Sequence, residues 1–190
     1  MPEAKTHDDA ETRAKFQILI RGSIQDVWHE ITRTDRPIPA FFNTQMHTLG
    51  LAPGARLAMR TKDAKWTGVV GEVLAIEPPR HFAHTFKFTN FDDPECRVLY
   101  DLEEVEGGTQ FTMTITDLPV GTKTAKQMVQ GGTMIVNTLK SCIETGKPSF
   151  GTRMLFGLFK VMAPFSPKQS KSEYWPLEGP WGPDGAVRPG

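Results

Sequence analysis

Residues 122–147 read TKTAKQMVQGGTMIVNTLKSCIETGK, and the pattern in this stretch decides the fold. Ala125, Met128, Val129, Gly132, Ile135, Val136, Leu139, Cys142 and Ile143 recur at three- and four-residue steps. That spacing draws one apolar stripe down a long helix. Gly146 supplies the helix stop, with Pro148 just beyond it. In mid-stripe, where bulk is expected, stands the pair Gly131-Gly132. Each glycine costs about 1 kcal/mol relative to alanine inside a helix, so the pair asks for a reason. Two reasons stay open: close approach of the helix backbone to a sheet, or room for a ligand. A long helix with a gap in its buried face points to a fold built around a cavity.

Upstream of the helix the pattern is that of strands. Pro53-Gly54, Glu77-Pro78-Pro79, Asp92-Asp93-Pro94 and Gly107-Gly108 act as turns between segments 55–61, 66–76, 80–88, 97–105 and 109–116. Phe82, His84, Phe86 and Phe88 share one face of their strand. Val98, Tyr100 and Leu102 do so in the next, and Phe111, Met113 and Ile115 in the last. Short turns between successive strands predict an antiparallel meander. Ahead of it, Phe16–Ile20 reads as a first strand. Ser23, with Asp26 three residues on, caps a helix through Val27, Trp28 and Ile31. Phe41-Phe42 suggests a second short helix. Strand, helices, antiparallel strands and a long closing helix make an α+β order.

The expected organisation is a disordered segment over 1–14, one domain over 15–147, and an extension over 148–190. In the extension, Phe150, Met154, Leu155, Leu158, Phe159 and Met162 predict a short amphipathic helix. A Pro/Gly-rich tail, extended after Gly179, is expected to follow.

Composition narrows the class. Lys plus Arg and Asp plus Glu balance at 22 each among 190 residues, which argues against nucleic acid as a partner. No apolar run reaches the roughly 20 residues needed to span a bilayer, and Met1–Arg13 has no signal-peptide core. Cys96 and Cys142 lack metal-type spacing; Cys142 falls on the apolar helix face as a small core residue. The expectation is a soluble, cytoplasmic protein without metal or cofactor, since there is also no phosphate-binding glycine loop.

Five segments resemble a known pattern in order. They are Ile24-Gln25-Asp26-Val27-Trp28, then Gly68-Val69-Val70-Gly71-Glu72-Val73, then Glu77-Pro78-Pro79-Arg80, then Gly107-Gly108-Thr109-Gln110-Phe111-Thr112. Leu139-Lys140 with Glu144-Thr145-Gly146-Lys147 closes the series. Together they resemble the START/Bet v 1-like (SRPBCC) superfamily, in the branch of the C-terminal domain of the activator of heat-shock-protein-90 ATPase. The resemblance spans about residues 15–147. Thr133 stands where members often have Trp, and Gly54-Ala55 where they often have Gly-Gly. The resemblance implies a helix-grip fold: a curved antiparallel sheet around the long C-terminal helix, with an apolar ligand commonly held between them. Relatives include polyketide cyclases, carriers and sensors, and a chaperone-binding protein.

The site candidates follow from the strand faces. His81 and His84 form H-x-x-H, but residues three apart on a strand point to opposite faces, so the pair is not read as a metal site. His84 and Tyr100 are polar handles on apolar faces, where each needs a neighbour or a ligand to hydrogen-bond. Asp101 alternates outward. The ligand-binding residues expected are Trp66, Phe82, His84, Phe86, Tyr100, Met113, Met128, Gly132 and Ile135. The reading favoured is non-enzymatic binding of a small apolar or aromatic molecule. One alternative is a cyclase-like enzyme using His84 and Tyr100; the other is an interaction module of chaperone-associated or stress-response type. With Arg153 and Lys160 as its only charges, the second amphipathic helix is expected to form a homodimer or pack on its own domain, and not to bind a membrane.

Overall fold

The computed structural model describes residues 12–162 and 166–182. Seven strands form one antiparallel sheet: β1 Ala14–Ile20, β2 Gln45–Thr48, β3 Arg56–Arg60, β4 Thr67–Glu77, β5 His81–Phe88, β6 Cys96–Val105 and β7 Gly108–Thr116. Their order across the sheet is β1-β7-β6-β5-β4-β3-β2. Consecutive strands β2 to β7 pair through short turns, as the Pro/Gly punctuation predicts. β1 returns to the far edge, with Phe16 opposite Met113 and Ile18 opposite Phe111. β2 is a strand that the sequence pattern does not single out. Ala14 opens β1, so only residues 1–11 of the expected disordered segment lie outside the described residues.

α1, Ile24–Thr32, starts at Ser23, whose side chain accepts a hydrogen bond from the Asp26 amide. The Phe41-Phe42 helix is a single 3₁₀ turn, Pro39–Phe41, with Phe42 following in the left-handed conformation. α2, Lys123–Thr145, is capped by Thr122 and ended by Gly146 at φ 75°, a conformation that favours glycine. Its buried residues are Thr124, Met128, Gly132, Val136, Thr138 and Leu139. The apolar stripe is therefore narrower than its sequence suggests, and Val129 stands half-exposed outside it. α3, Phe150–Met162, follows. Among the described residues no helix is long and apolar enough to cross a membrane.

The core lies between α2 and the sheet face carrying Ile20, Phe82, Val98, Phe111, Met113 and Ile115. α2 rests on β1, on the 3₁₀ turn and on part of β7. Strands β4 to β6 thus curve past α2 without being covered by it. This is the helix-grip arrangement of an α+β fold.

A second, small cluster covers the opposite face of the sheet, where Trp175 and Trp181 pack with Ala58 and Val70. The tail expected to run free after Gly179 instead stays packed as far as Trp181, because both indoles bury there and both ring N–H groups find carbonyls. Trp175 Nε1 donates to Gln169 at 2.7 Å and Trp181 Nε1 to Pro176 at 2.8 Å. Residues 183–190 of that tail lie outside the described residues.

Candidate functional site: a half-covered apolar cavity

Because α2 leans toward β1, a cavity of about 690 Å³ remains between it and β4–β6. Its sheet wall carries Val69, His84, Phe86, Phe88, Val98, Tyr100 and Met113. Its helix wall is Met128, Gly131, Met134 and Ile135. Phe41, Phe42 and buried Ser170 also line it, and Trp66, Phe159, Ser166 and Pro167, all partly or largely exposed, stand at the mouth. Among these lining residues there is no carboxylate and no lysine or arginine. A volume within the roughly 300–1,000 Å³ range of small-molecule sites, with an apolar lining and few polar groups, is the usual form of a ligand pocket. A second depression, about 510 Å³, lies on the opposite sheet face around Arg80, His81, Asp101 and Glu103. It is polar and holds the 2.7 Å contact of His81 Nδ1 with Asp101 Oδ1.

Of the nine residues expected to bind a ligand, seven stand on the wall of this cavity: Trp66, His84, Phe86, Tyr100, Met113, Met128 and Ile135. Phe82 is fully buried but off the wall, packed against the rings of His84 at 5.2 Å and Tyr100 at 5.8 Å. Gly132 is also off the wall. A Cβ built there meets the Phe16 ring of β1 at 2.3 Å, so this glycine exists for close packing of helix on strand. Its neighbour Gly131 is the one on the cavity, and a Cβ there meets only the Phe42 ring edge at 3.2 Å. The gap in the stripe thus divides: Gly132 serves close packing, and Gly131 faces the cavity.

Phe88 and Met134 were within reach of the sequence. Phe88 shares a face with Phe86, and Met134 adjoins Ile135. Phe42, Ser166, Pro167 and Ser170 were not, since Phe42 sits in a left-handed turn and the other three lie in a segment that no periodicity marks.

His84 is the polar centre of the wall. It sits on β5 in a pairing with β4 that loses its regular register nearby: Val70 pairs with Lys87 and Val73 with His84, with a shift before Ala75. Between them, the Glu72 amide donates to the Thr85 hydroxyl at 3.0 Å. The Thr85 carbonyl turns over Gly71, only 1.9 Å from where a Cβ there would stand. That carbonyl accepts the hydrogen bond of His84 Nδ1 at 2.7 Å. A carbonyl only accepts, so Nδ1 carries the proton and Nε2 is a bare acceptor.

Nε2 is buried with no hydrogen-bond partner among the described residues. A buried, unsatisfied acceptor costs roughly 1–3 kcal/mol. Burial pushes the His84 pKa down to about 4, against a smaller upward pull from the Thr85 bond. The ring is therefore neutral at physiological pH. Tyr100, 5.7 Å from it between ring centres, is equally buried, and burial drives its pKa up. Cys96 and Cys142 are free, with thiol pKa values pushed up by burial to about 12 and about 11, which disfavours the nucleophilic thiolate in both.

Comparison with known proteins agrees with the fold. Residues 21–144, well over half of the chain, match the family model described as Activator of Hsp90 ATPase homolog 1-like protein. Against curated proteins the chain shows no significant match. Among solved structures it resembles the Aha1 dimer of Colwellia psychrerythraea, with TM-score 0.58 and 16% identity over 71% of this chain and 98% of that one. It also resembles PFC0360w, an HSP90 activator from Plasmodium falciparum, with TM-score 0.56 and 14% identity over 72% and 98%. CalU16 from Micromonospora echinospora aligns with TM-score 0.54 and 17% identity over 80% and 84%. At these identities the structural likenesses speak for the fold alone. The family match carries the assignment: the chain belongs to the Activator of Hsp90 ATPase homolog 1-like family.

Proposed function

We propose that this protein binds a small apolar or aromatic molecule in the cavity between α2 and strands β4–β6, without transforming it. The observation that carries this reading is the cavity itself: about 690 Å³, walled largely by aromatic and methionine side chains, with His84, Tyr100, Thr67 and Ser170 as buried residues that bring polar groups to it. Met113, Met128 and Met134 give the wall adaptable, polarizable surface.

The cyclase-like alternative is weaker on the same residues. General acid–base work needs a group that titrates near the working pH. His84 titrates near 4 and Tyr100 is driven the other way, and the described lining offers no carboxylate to pair with either. Two free thiols and the neutral composition are consistent with a reducing, cytoplasmic setting.

The test is to fill the cavity from α2. Ile135→Trp places an indole in the space while leaving the Gly132–Phe16 contact intact. Expected are an unchanged fold by circular dichroism and loss of at least tenfold in affinity for an apolar fluorescent probe such as 2-naphthol. A variant that folds and binds the probe as before overturns the reading.

A second reading concerns self-association, and one observation favours it. On α3, Phe150, Met154, Leu158 and Val161 are each more than half exposed and lie on one side of the helix. The fold neighbour from Colwellia psychrerythraea is described as a dimer. We read that stripe as the contact of a homodimer, because large exposed apolar patches on soluble domains mark association surfaces. Analytical ultracentrifugation at micromolar concentration reads the mass directly, and a monomer there rules this out.

A further inference from the structure

We propose that His84 selects the ligand: its Nε2 accepts a hydrogen bond from a hydroxyl group, so the cavity takes apolar molecules that carry a phenolic or alcoholic O–H in preference to their ethers. This rests on the cavity-binding reading and goes beyond it by naming the group the ligand must present.

Three observations converge on this. The first is the unmet acceptor: Nε2 is buried, lacks any partner among the described residues, and belongs to a residue on the cavity wall. The second is that its polarity is fixed by the fold. Thr85 sends its hydroxyl, not its carbonyl, to the Glu72 amide, and the freed carbonyl takes the Nδ1 proton. Only a glycine at 71 leaves room for that carbonyl. A tautomer set by a strand irregularity and a glycine is specified by the sequence, not chosen by the ligand. The ring therefore presents a lone pair, which repels a ligand carbonyl or ether oxygen and attracts a donor.

The third observation concerns what else could occupy the spot. A trapped water needs two to four polar partners. Around the His84 imidazole stand the rings of Phe82, Phe86 and Tyr100, at 5.2, 6.5 and 5.7 Å between centres. Of these only Tyr100 carries a polar group. A hydroxyl on an aromatic body needs one acceptor for its proton and apolar surroundings for the rest, which this wall supplies. Tyr100 makes no hydrogen bond among the described residues, and its own O–H is then free to donate to the same ligand oxygen. A phenol oxygen accepts and donates at once, so it fits both groups.

The test compares two probes that differ by one methyl group, 2-naphthol and 2-methoxynaphthalene, titrated into the full chain by calorimetry at neutral pH. The expected result is a tenfold or greater preference for the naphthol, falling to about equal binding in His84→Phe while the ether keeps its affinity. The same titration followed by imidazole ¹⁵N resonances should show Nδ1 protonated and Nε2 bare in the free protein. The Nε2 signal should then move upfield with naphthol and stay put with the ether. That readout needs no variant, so it stands even if His84→Phe fails to fold. Affinities within twofold of each other in the unsubstituted chain, or an Nε2 signal indifferent to naphthol, overturn the assignment to His84 and leave the cavity reading in place. If neither probe binds, both readings fall.

Discussion

The two adjacent glycines of α2 look alike in the sequence and act differently in the structure. At Gly132 the Phe16 ring occupies the place of any side chain, with three ring carbons within 2.7 Å of a Cβ. Phe16 stands in β1 opposite Met113 with its ring packed into the core cluster, so a ring displaced by a Cβ gives up that packing. Gly132→Ala should therefore destabilise the fold by about 1–3 kcal/mol, the usual range for overpacking, despite its gain in helix propensity. At Gly131 the only neighbour is the edge of Phe42, a partly exposed ring after a turn. Here the ring can shift by a few tenths of an ångström, and Gly131→Ala should stabilise by up to about 1 kcal/mol. Urea unfolding of both variants decides this, and equal effects of the same sign would refute the division. A single-sequence pattern identifies a gap in a stripe but not what fills it, because the filler comes from a strand more than a hundred residues away. His84 was legible for the opposite reason. Period-two alternation in β5 is local, and it places the imidazole among Phe82, Phe86 and Phe88 without knowledge of the partner strands. What alternation does not reveal is the tautomer, since that depends on where the Thr85 carbonyl goes.

At the scale of elements, the segments with strong periodicity were readable almost to the residue. α2 ends at the glycine that the sequence offers, and β5 to β7 follow their alternation. β2 is four residues long and has too few positions to show a period. α3 was readable as a helix, but its surroundings were not. Leu155 and Phe156 are partly covered and Phe159, though exposed, lines the cavity, while Phe150, Met154, Leu158 and Val161 face outward. An amphipathic pattern implies one covered face; this helix has apolar residues on two. If the outward stripe is the dimer contact, Met154→Glu combined with Leu158→Glu should convert a dimer to a monomer in ultracentrifugation. Four charges placed across a two-fold contact have no partners there. The inward residues are untouched, so probe binding should survive. A dimer that persists in the double variant would move the contact elsewhere on the surface.

Across the whole molecule, the C-terminal segment ties the two faces of the sheet together. Ser166 and Pro167 stand at the cavity mouth, and buried Ser170 lines the cavity and accepts a hydrogen bond from the Thr89 hydroxyl at 2.9 Å. The chain then bridges to Trp66 through Lys171 and crosses to the far face. There Trp175 and Trp181 bury against Ala58 and Val70, and the Arg56 guanidinium lies 4.8 Å over the Trp181 ring. Arg56 also donates to the Gly179 carbonyl, and Arg60 to that of Trp175 at 3.0 Å. The mouth is thus held from behind, by contacts on a face the ligand never meets. Trp181→Ala removes a buried indole, a change worth about 3–5 kcal/mol in a core. The segment can detach without unfolding the sheet, so the loss should appear as local opening and not as a lower global stability. Amide exchange at Ser170 and Ser172 should then accelerate while β5 to β7 keep their protection. A loosened mouth speeds entry and exit together, so 2-naphthol should dissociate several-fold faster with its preference over the ether unchanged, since His84 is untouched. Faster exchange at Ser170 with an unaltered dissociation rate would show that the segment clamps the sheet but does not gate the cavity.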